Sequence, residues 1–359
     1  MIKFNKFRQP NFNTDKLKNA PNAKFEEVKI EGVAPENYHA MSIYPEFFKV
    51  DGKWLGVSES RMDTVPVIKE DKIEVIEFRN LKVGDKVIQG RTEDGREGIF
   101  LYTDGFTVEE SKSDTFQFRS GRTRETAFSK DYDELAQILK QERANNGHIV
   151  WVLGSSIPMD NRTRFNFSQI IKSGYVNAVI TGNTMATVDL MKGLKTDNPF
   201  VQNRASDSRT ETLQDYITIS KVREMGSIKK AVEEGVIENG IMKTLVDCDI
   251  PFVIAGSIRD RYKLPDTFNN VYEAQDNMRA QTRKATMLIC LSSVLFTIAS
   301  GNMTPSYNIF DDVTRPVYIY SIDLQEFSVN KLTDRGTLEV KTLVTNVHDF
   351  LYQMMRGLE

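Results

Sequence analysis

The chain has few of the residues that build common metal and redox centres. Its 359 residues include two cysteines, Cys248 and Cys290, and three histidines, His39, His148 and His348. The histidines lie far apart in sequence, which argues against a Cys–His cluster, and no metal is expected. Two thiols beside apolar elements read as reduced cysteines of a cytoplasmic protein. No apolar run reaches bilayer length. The longest, Met287 to Ala299, is broken by Ser292, Ser293 and Thr297 and reads as a buried strand and helix, so no membrane partner is expected. Met1-Ile2-Lys3-Phe4-Asn5-Lys6 lacks the apolar core of a signal peptide. The formal net charge is -3, and no basic stripe with interleaved aromatics occurs, so nucleic acid is not an expected partner.

What remains fits a soluble globular protein: 40% hydrophobic and 27% charged residues, at a length suggesting two domains. Residues 1–22 are polar and read as an extended arm or frayed terminus. Residues 23–132 form the next expected domain, which is β-rich. Its strand candidates are Phe25 to Ile30, Lys72 to Phe78, Lys86 to Gln89 and Gly98 to Tyr102, separated by Gly and Asp turns. Glu109 to Asp131 reads as a charged loop, and Thr196 to Ser208 as a mobile flap. The third expected domain, 133–359, opens on a helix from Asp133 to Asn145. Strands are then expected at 148–153, 176–181, 251–255, 286–290, 317–322 and 340–345. Helices are expected at 164–173, 184–193, 211–225, 227–234, 238–247, 271–283, 291–300, 325–333 and 347–356. Strands alternating with helices predict an α/β fold, with a Rossmann-like parallel sheet at the C-terminus preceded by the smaller β-rich domain.

Several of these strands end in small polar turns: Gly154-Ser155-Ser156, Thr181-Gly182-Asn183 and Ala255-Gly256-Ser257. In a parallel sheet such turns share the carboxyl edge, where open α/β sheets bind ligands. Glycine admits a phosphate close to the backbone, and free helix-start amides attract its charge. The pattern points to a nucleotide cofactor held by Gly154, Ser155, Ser156, Gly182, Asn183, Gly256 and Ser257. Asp323 ends a strand, where an acid can accept hydrogen bonds from adenosine ribose hydroxyls and disfavour a ribose phosphate; it is equally suited to cap the next helix. Arg259 suits a substrate carboxylate, and Asp260 a substrate ammonium or proton; the two also suit an internal pair bracing the loop. Asn302 can hold a carboxamide or close a helix.

Longer words accompany these residues. They include Gly174-Tyr175-Val176-Asn177-Ala178, Gly226-Ser227-Ile228, Gly240-Ile241-Met242, Val253 to Asp260, Leu264-Pro265-Asp266, Ala274-Gln275-Asp276, Gly301-Asn302-Met303 and Asp334-Arg335-Gly336. In order and spacing they resemble the LOR/SDH conserved-region family. Its best understood members are NAD-dependent ornithine cyclodeaminases: archaeal stand-alone enzymes and the C-terminal part of cyanobacterial bifunctional arginine-degrading enzymes. The resemblance covers most of 148–359 and extends more weakly through Lys53-Trp54, Met62-Asp63 and Val83-Gly84-Asp85. It implies bound NAD that takes a hydride from an amino acid Cα and returns it after cyclisation and ammonia loss, giving proline from ornithine.

Departures from the family words fall on the polar positions. The His-Thr-Gly motif is Met159-Asp160-Asn161 here, and His-Asp-Ile-Glu is Val188-Asp189-Leu190-Met191. A second Asp after Ser-Ile-Arg-Asp is Arg261, and a His in the helix before Gly301 is Phe296. Asp189 is therefore the expected proton acceptor beside Arg259 and Asp260. The expected function is an NAD-dependent cyclodeaminase-like enzyme, a homo-oligomer acting on a small amino acid or imino acid altered from ornithine. True ornithine cyclodeamination and a non-catalytic NAD-binding scaffold are the alternatives.

Overall fold

The computed structural model describes residues 7–106, 129–195, 208–310, 313–326, 332 and 338–359. The charged loop, the flap, most of the helix expected at 325–333 and Asp334-Arg335-Gly336 lie outside them. The chain divides into two compact units: residues 7–106 with 302–310, 313–317 and 338–339 make the first, and the remaining described residues the second.

The first unit is built from antiparallel sheets. One has the order Lys24–Glu27, Lys86–Gln89, Thr64–Lys69, Lys72–Glu77, and another the order Lys53–Gly56, Glu46–Val50, Ile99–Leu101. A hairpin, Tyr307–Phe310 with Val313–Pro316, belongs to the same unit. Glu46–Val50 and Thr64–Lys69 are strands missing from the expected set. Each is interrupted by a charged residue or a proline that masks its apolar character. Burial of Phe48, Val57, Ile88, Ile99 and Tyr307 makes the core.

Residues 7–22 are packed rather than frayed. They carry the short helix Asp15–Lys18, Leu17 is buried, and Phe12 stacks on Trp54 at 5.5 Å. The Lys49 ammonium donates to the carbonyls of Lys18 and Ala20 at 2.9 and 2.7 Å. Two buried polar contacts sit deeper: His39 Nε2 lies 2.6 Å from Glu46 Oε2, and Arg61 pairs with Glu59 and Glu77.

The second unit is a seven-stranded sheet. Its order is Thr267–Phe268, Phe252–Ala255, Ala178–Gly182, Ile149–Leu153, Met287–Leu291, Tyr318–Asp323 and Glu339–Val344. The five pairings that join the first six strands are parallel. Ile149–Leu153 and Met287–Leu291 are buried along their whole length, as strands covered on both faces must be.

The chain starts at Ile149–Leu153 and moves outward in one direction through Ala178–Gly182 and Phe252–Ala255. It then returns to the other side of the first strand at Met287–Leu291 and moves outward again. The strand order therefore reverses between Leu153 and Leu291. A reversal leaves the two following helices on opposite faces, with a crevice between them at the carboxyl edge. The Rossmann-like sheet and the β-rich first half agree with the sequence reading.

Candidate functional site at the carboxyl edge

The crevice floor is made where two turns meet. Gly154 N–H donates to Leu291 O at 2.8 Å, and a methyl group on Gly154 would overlap the carbonyl oxygen of Ser292. Only glycine lets the turns approach this closely. Ser156 Oγ and Ser292 Oγ are hydrogen-bonded to each other across the reversal point. Ser292 has a φ of 55°, which turns the chain sharply out of its strand, and its N–H donates to Ile322 O at 3.0 Å. Ser293 Oγ then accepts from Phe296 N at 3.4 Å and starts the helix Val294–Met303.

Ser292 and Ser293 were missed as site residues because the expected helix began at residue 291. The serine pair itself was the available signal, since hydroxyl residues favour helix starts over helix interiors. Ser155 is exposed, and Ser156 and Gly182 are half-buried at the same edge.

Asp323 stands two strands from Gly154, at the end of Tyr318–Asp323. Its Oδ1 accepts from Gln325 N at 3.1 Å, and its carbonyl accepts from Thr345 N at 3.0 Å. The carboxylate is half-buried. A loop cap and a ribose contact use different lone pairs, so both readings of Asp323 stand together.

On the other side of the crevice, Gly256 N–H donates to Phe268 O at 2.9 Å, tying the turn to the short edge strand. Asp260 Oδ2 accepts from Ser257 N at 2.7 Å, and Arg259 N–H donates to Ser257 Oγ at 3.2 Å. Arg259 and Arg261 are exposed, and Arg259 forms no ion pair with Asp260 among the described residues. Asp260 thus braces its own loop through the backbone, and the two guanidinium groups are left facing outward. Ile258, immediately before Arg259, is fully exposed.

Two candidates have structural tasks. The Asn183 carboxamide donates to Tyr262 O at 3.1 Å and accepts from Leu264 N at 2.9 Å and Thr267 Oγ1 at 3.1 Å. It clamps the loop that follows Gly256, and its side chain is not turned to the crevice as a free contact. Asp189, expected to accept a proton, is 0% exposed. Its Oδ1 accepts from Arg164 Nε at 2.8 Å and Ile241 N at 3.0 Å, and its Oδ2 from Met242 N at 2.8 Å. The carboxylate caps the helix Ile241–Asp247 from inside the unit. A fully hydrogen-bonded, dry carboxylate paired with a guanidinium is a brace, and this replaces the proton-acceptor reading. Asn302 lies in the last turn of Val294–Met303, where the chain passes from one unit to the other.

A further polar chain was not anticipated. Asp160 caps the helix Asn161–Lys172, accepting from Thr163 N at 2.8 Å and Thr163 Oγ1 at 2.9 Å. Thr163 Oγ1 lies 2.7 Å from His348 Nδ1 at the start of Val347–Leu358. Hydrogen bonding from the Thr163 amide, more than the nearby His348, holds the Asp160 carboxyl below its ordinary range. Away from the edge, burial pushes the Cys290 thiol up to about 12, which marks it as inert packing.

Two concavities, of about 710 and 540 Å³, open elsewhere in this unit, beside Phe252 and Pro265 and beside Arg164 and Lys192. Neither contains a crevice residue. The crevice is distinguished by its polar composition and its place in the topology.

Comparison with known proteins places this arrangement. The family described as "Arginine dihydrolase ArgZ-like, C-terminal, Rossmann fold" matches residues 133–354. The ornithine cyclodeaminase of Methanocaldococcus jannaschii is 31% identical over 351 residues, 94% of this chain and 79% of that protein. The crystal structure of a LOR/SDH protein from Methanococcus maripaludis S2 superposes with a TM-score of 0.81 at 27% identity, covering 94% of this chain and 98% of that one. AgrE, the bifunctional arginine dihydrolase/ornithine cyclodeaminase of Nostoc sp., is 31% identical over 343 residues, 94% of this chain and 47% of AgrE. Its ternary complex with ornithine and NAD+ superposes with a TM-score of 0.58, covering 95% of this chain and 46% of that one.

Proposed function

The chain belongs to the arginine dihydrolase ArgZ-like C-terminal Rossmann-fold family, and from that premise we propose that it is an NAD-dependent cyclodeaminase-like enzyme. The observation that carries the reading is the crevice at the strand-order reversal. Gly154, the Ser156–Ser292 hydroxyl pair and Asp323 stand at the ends of three neighbouring strands. These residues fit a dinucleotide. Gly154 lets the two turns close on each other to form the floor, the hydroxyls and the amides at the start of Val294–Met303 supply donors for a diphosphate, and Asp323 supplies the ribose acceptor. Gly182, Gly256 and Ser257 line the opposite side.

When bound, NAD+ supplies reversible hydride acceptance at the substrate Cα. The chain's own part is to bind, orient and exclude. Arg259, exposed beside the crevice turn, holds a substrate carboxylate in a two-pronged hydrogen bond, and Asp260 keeps the loop that presents it in shape. Proton transfer falls to water or to Asp260 rather than to the sequestered Asp189.

The substrate is an amino acid or imino acid altered from ornithine. Support comes from Arg261, an exposed cation on the substrate-side loop where the family word has an acid, and from Phe296 in place of a proton carrier. The relatives' names favour ornithine itself as the second reading. The active form is proposed to be a homo-oligomer.

Denaturing the purified protein and weighing the released nucleotide tests the cofactor. NAD is the expected mass, and no nucleotide together with no added-NAD binding overturns the reading. Incubation with ornithine is expected to give no proline, and rapid proline and ammonia release selects the second reading.

A further inference from the structure

Phe296 sits in the first turn of Val294–Met303, the helix that follows the strand Met287–Leu291. Its ring does not stay above that strand. The ring edge is 2.8 Å from where a Cβ on Gly182 would be. Gly182 ends the strand on the far side of Ile149–Leu153, two strand spacings, about 10 Å, from Met287–Leu291, so the start of the helix carries Phe296 across toward it. Between those two strands lies the carboxyl end of Ile149–Leu153, where the turn at Gly154 begins. Phe296 is only half-buried, and its backbone is fixed by the Ser293 hydroxyl at 3.4 Å. A half-buried phenylalanine packed by its ring edge against Gly182 at the carboxyl edge keeps part of its surface open to a ligand.

Asp323 gives the crevice a direction. It lies at the end of the strand beside Met287–Leu291, away from Gly182, so about three strand spacings, or about 14 Å, separate the two landmarks. The hydroxyl pair of Ser156 and Ser292 stands between them. A dinucleotide has a ribose-bearing base at each end and a diphosphate in the middle. With its adenosine ribose at Asp323 and its diphosphate over the serines, the other base arrives at Gly182 and Phe296.

We infer that Phe296 is the aromatic platform for the nicotinamide ring, and that it sets the polarity of the dinucleotide along the carboxyl edge. This rests on the dinucleotide reading of the crevice. Offset stacking of a flat heteroaromatic ring on Phe296 supplies the contact, and the absence of a side chain at Gly182 lets the Phe296 ring lie there.

The test compares NAD+ with ADP-ribose, which keeps the adenosine and the diphosphate but lacks the nicotinamide. Binding of each is measured by calorimetry on nucleotide-stripped protein and on Phe296→Leu, Phe296→Tyr and Gly182→Ala, with the thermal midpoint of each variant recorded. Phe296→Leu is expected to weaken NAD+ about tenfold while leaving ADP-ribose within about twofold, and Phe296→Tyr to retain both. Gly182→Ala, whose methyl group meets the ring, is expected to reproduce the leucine pattern. Equal losses for the two ligands, or no loss for either, overturn the platform and leave the dinucleotide reading standing. Failure of the unmutated protein to bind either ligand overturns the dinucleotide reading itself.

Discussion

Asp189 and Arg164 form an ion pair at 2.8 Å, with the carboxylate fully buried and the guanidinium nearly so. Leaving one member of such a pair alone in a dry interior typically costs about 3–5 kcal/mol, because the remaining charge loses its compensation. Arg164→Met is therefore expected to lower the urea midpoint of the second unit strongly, and an unchanged midpoint would remove the brace assignment. Asp160 acts at the surface and is weaker. Asp160→Ala removes an N-cap worth about 1 kcal/mol. The sign of its pH dependence follows from its lowered pKa: the contribution is fully present above the unfolded value near about 4 and fades as pH falls through the folded one. Stability curves of Asp160→Ala and the parent should converge in acid; a constant gap across pH would contradict the charged cap.

The loop from Gly256 to Thr267 depends on one side chain that it does not contain. Asn183 reaches it from the neighbouring turn with three hydrogen bonds, two of them to its backbone. Asn183→Ala leaves those groups without their partner, and faster amide exchange is expected over Tyr262 to Phe268, with the strand Ile149–Leu153 unaffected. Uniform exchange across both segments would show that the clamp is not local.

The turn at Ser292 is a second case. A serine pair inside an apolar run can be read as the middle of a helix, and the sequence offered no glycine to end the strand there. What ends it is the approach of Gly154, whose N–H takes the Leu291 carbonyl. The longer helices of the second unit that the described residues cover were legible from apolar spacing, and their ends less so. Ile241–Asp247 starts three residues after its expected start because the Asp189 carboxylate, fifty-odd residues earlier in the chain, takes the amides of Ile241 and Met242.

At the scale of the molecule, a ligand that binds only the folded state raises its stability by mass action. NAD+ at about one hundred times its dissociation constant is expected to add about 2.7 kcal/mol to the unit that binds it, seen as a rise in that unit's melting transition. NADP+ is expected to do less, because its ribose phosphate would face the Asp323 carboxylate. Asp323→Ser should narrow the gap between the two nucleotides, and equal shifts in the parent protein would take the ribose role away from Asp323. The first unit is held by its own core and its own buried pairs, so its transition is not expected to follow the nucleotide directly.

Sequence alone determined the class of each half of the chain. Period and composition are local properties: a five-residue apolar run such as Ile149–Leu153 between turn signals, in alternation with helices, reads as a doubly covered strand, and in a parallel sheet the small polar turns after such runs fall on one edge. It also placed Gly154, Gly256 and Asp323 at strand ends. Tertiary structure alone decided which turns face one another. That Ser156 meets Ser292, that the Phe296 ring lies over Gly182, and that Asp189 spends its lone pairs on a helix start are consequences of strand order and of contacts between distant segments. No local pattern encodes such contacts, because the energy that fixes them comes from burying and pairing groups that only the folded chain brings together.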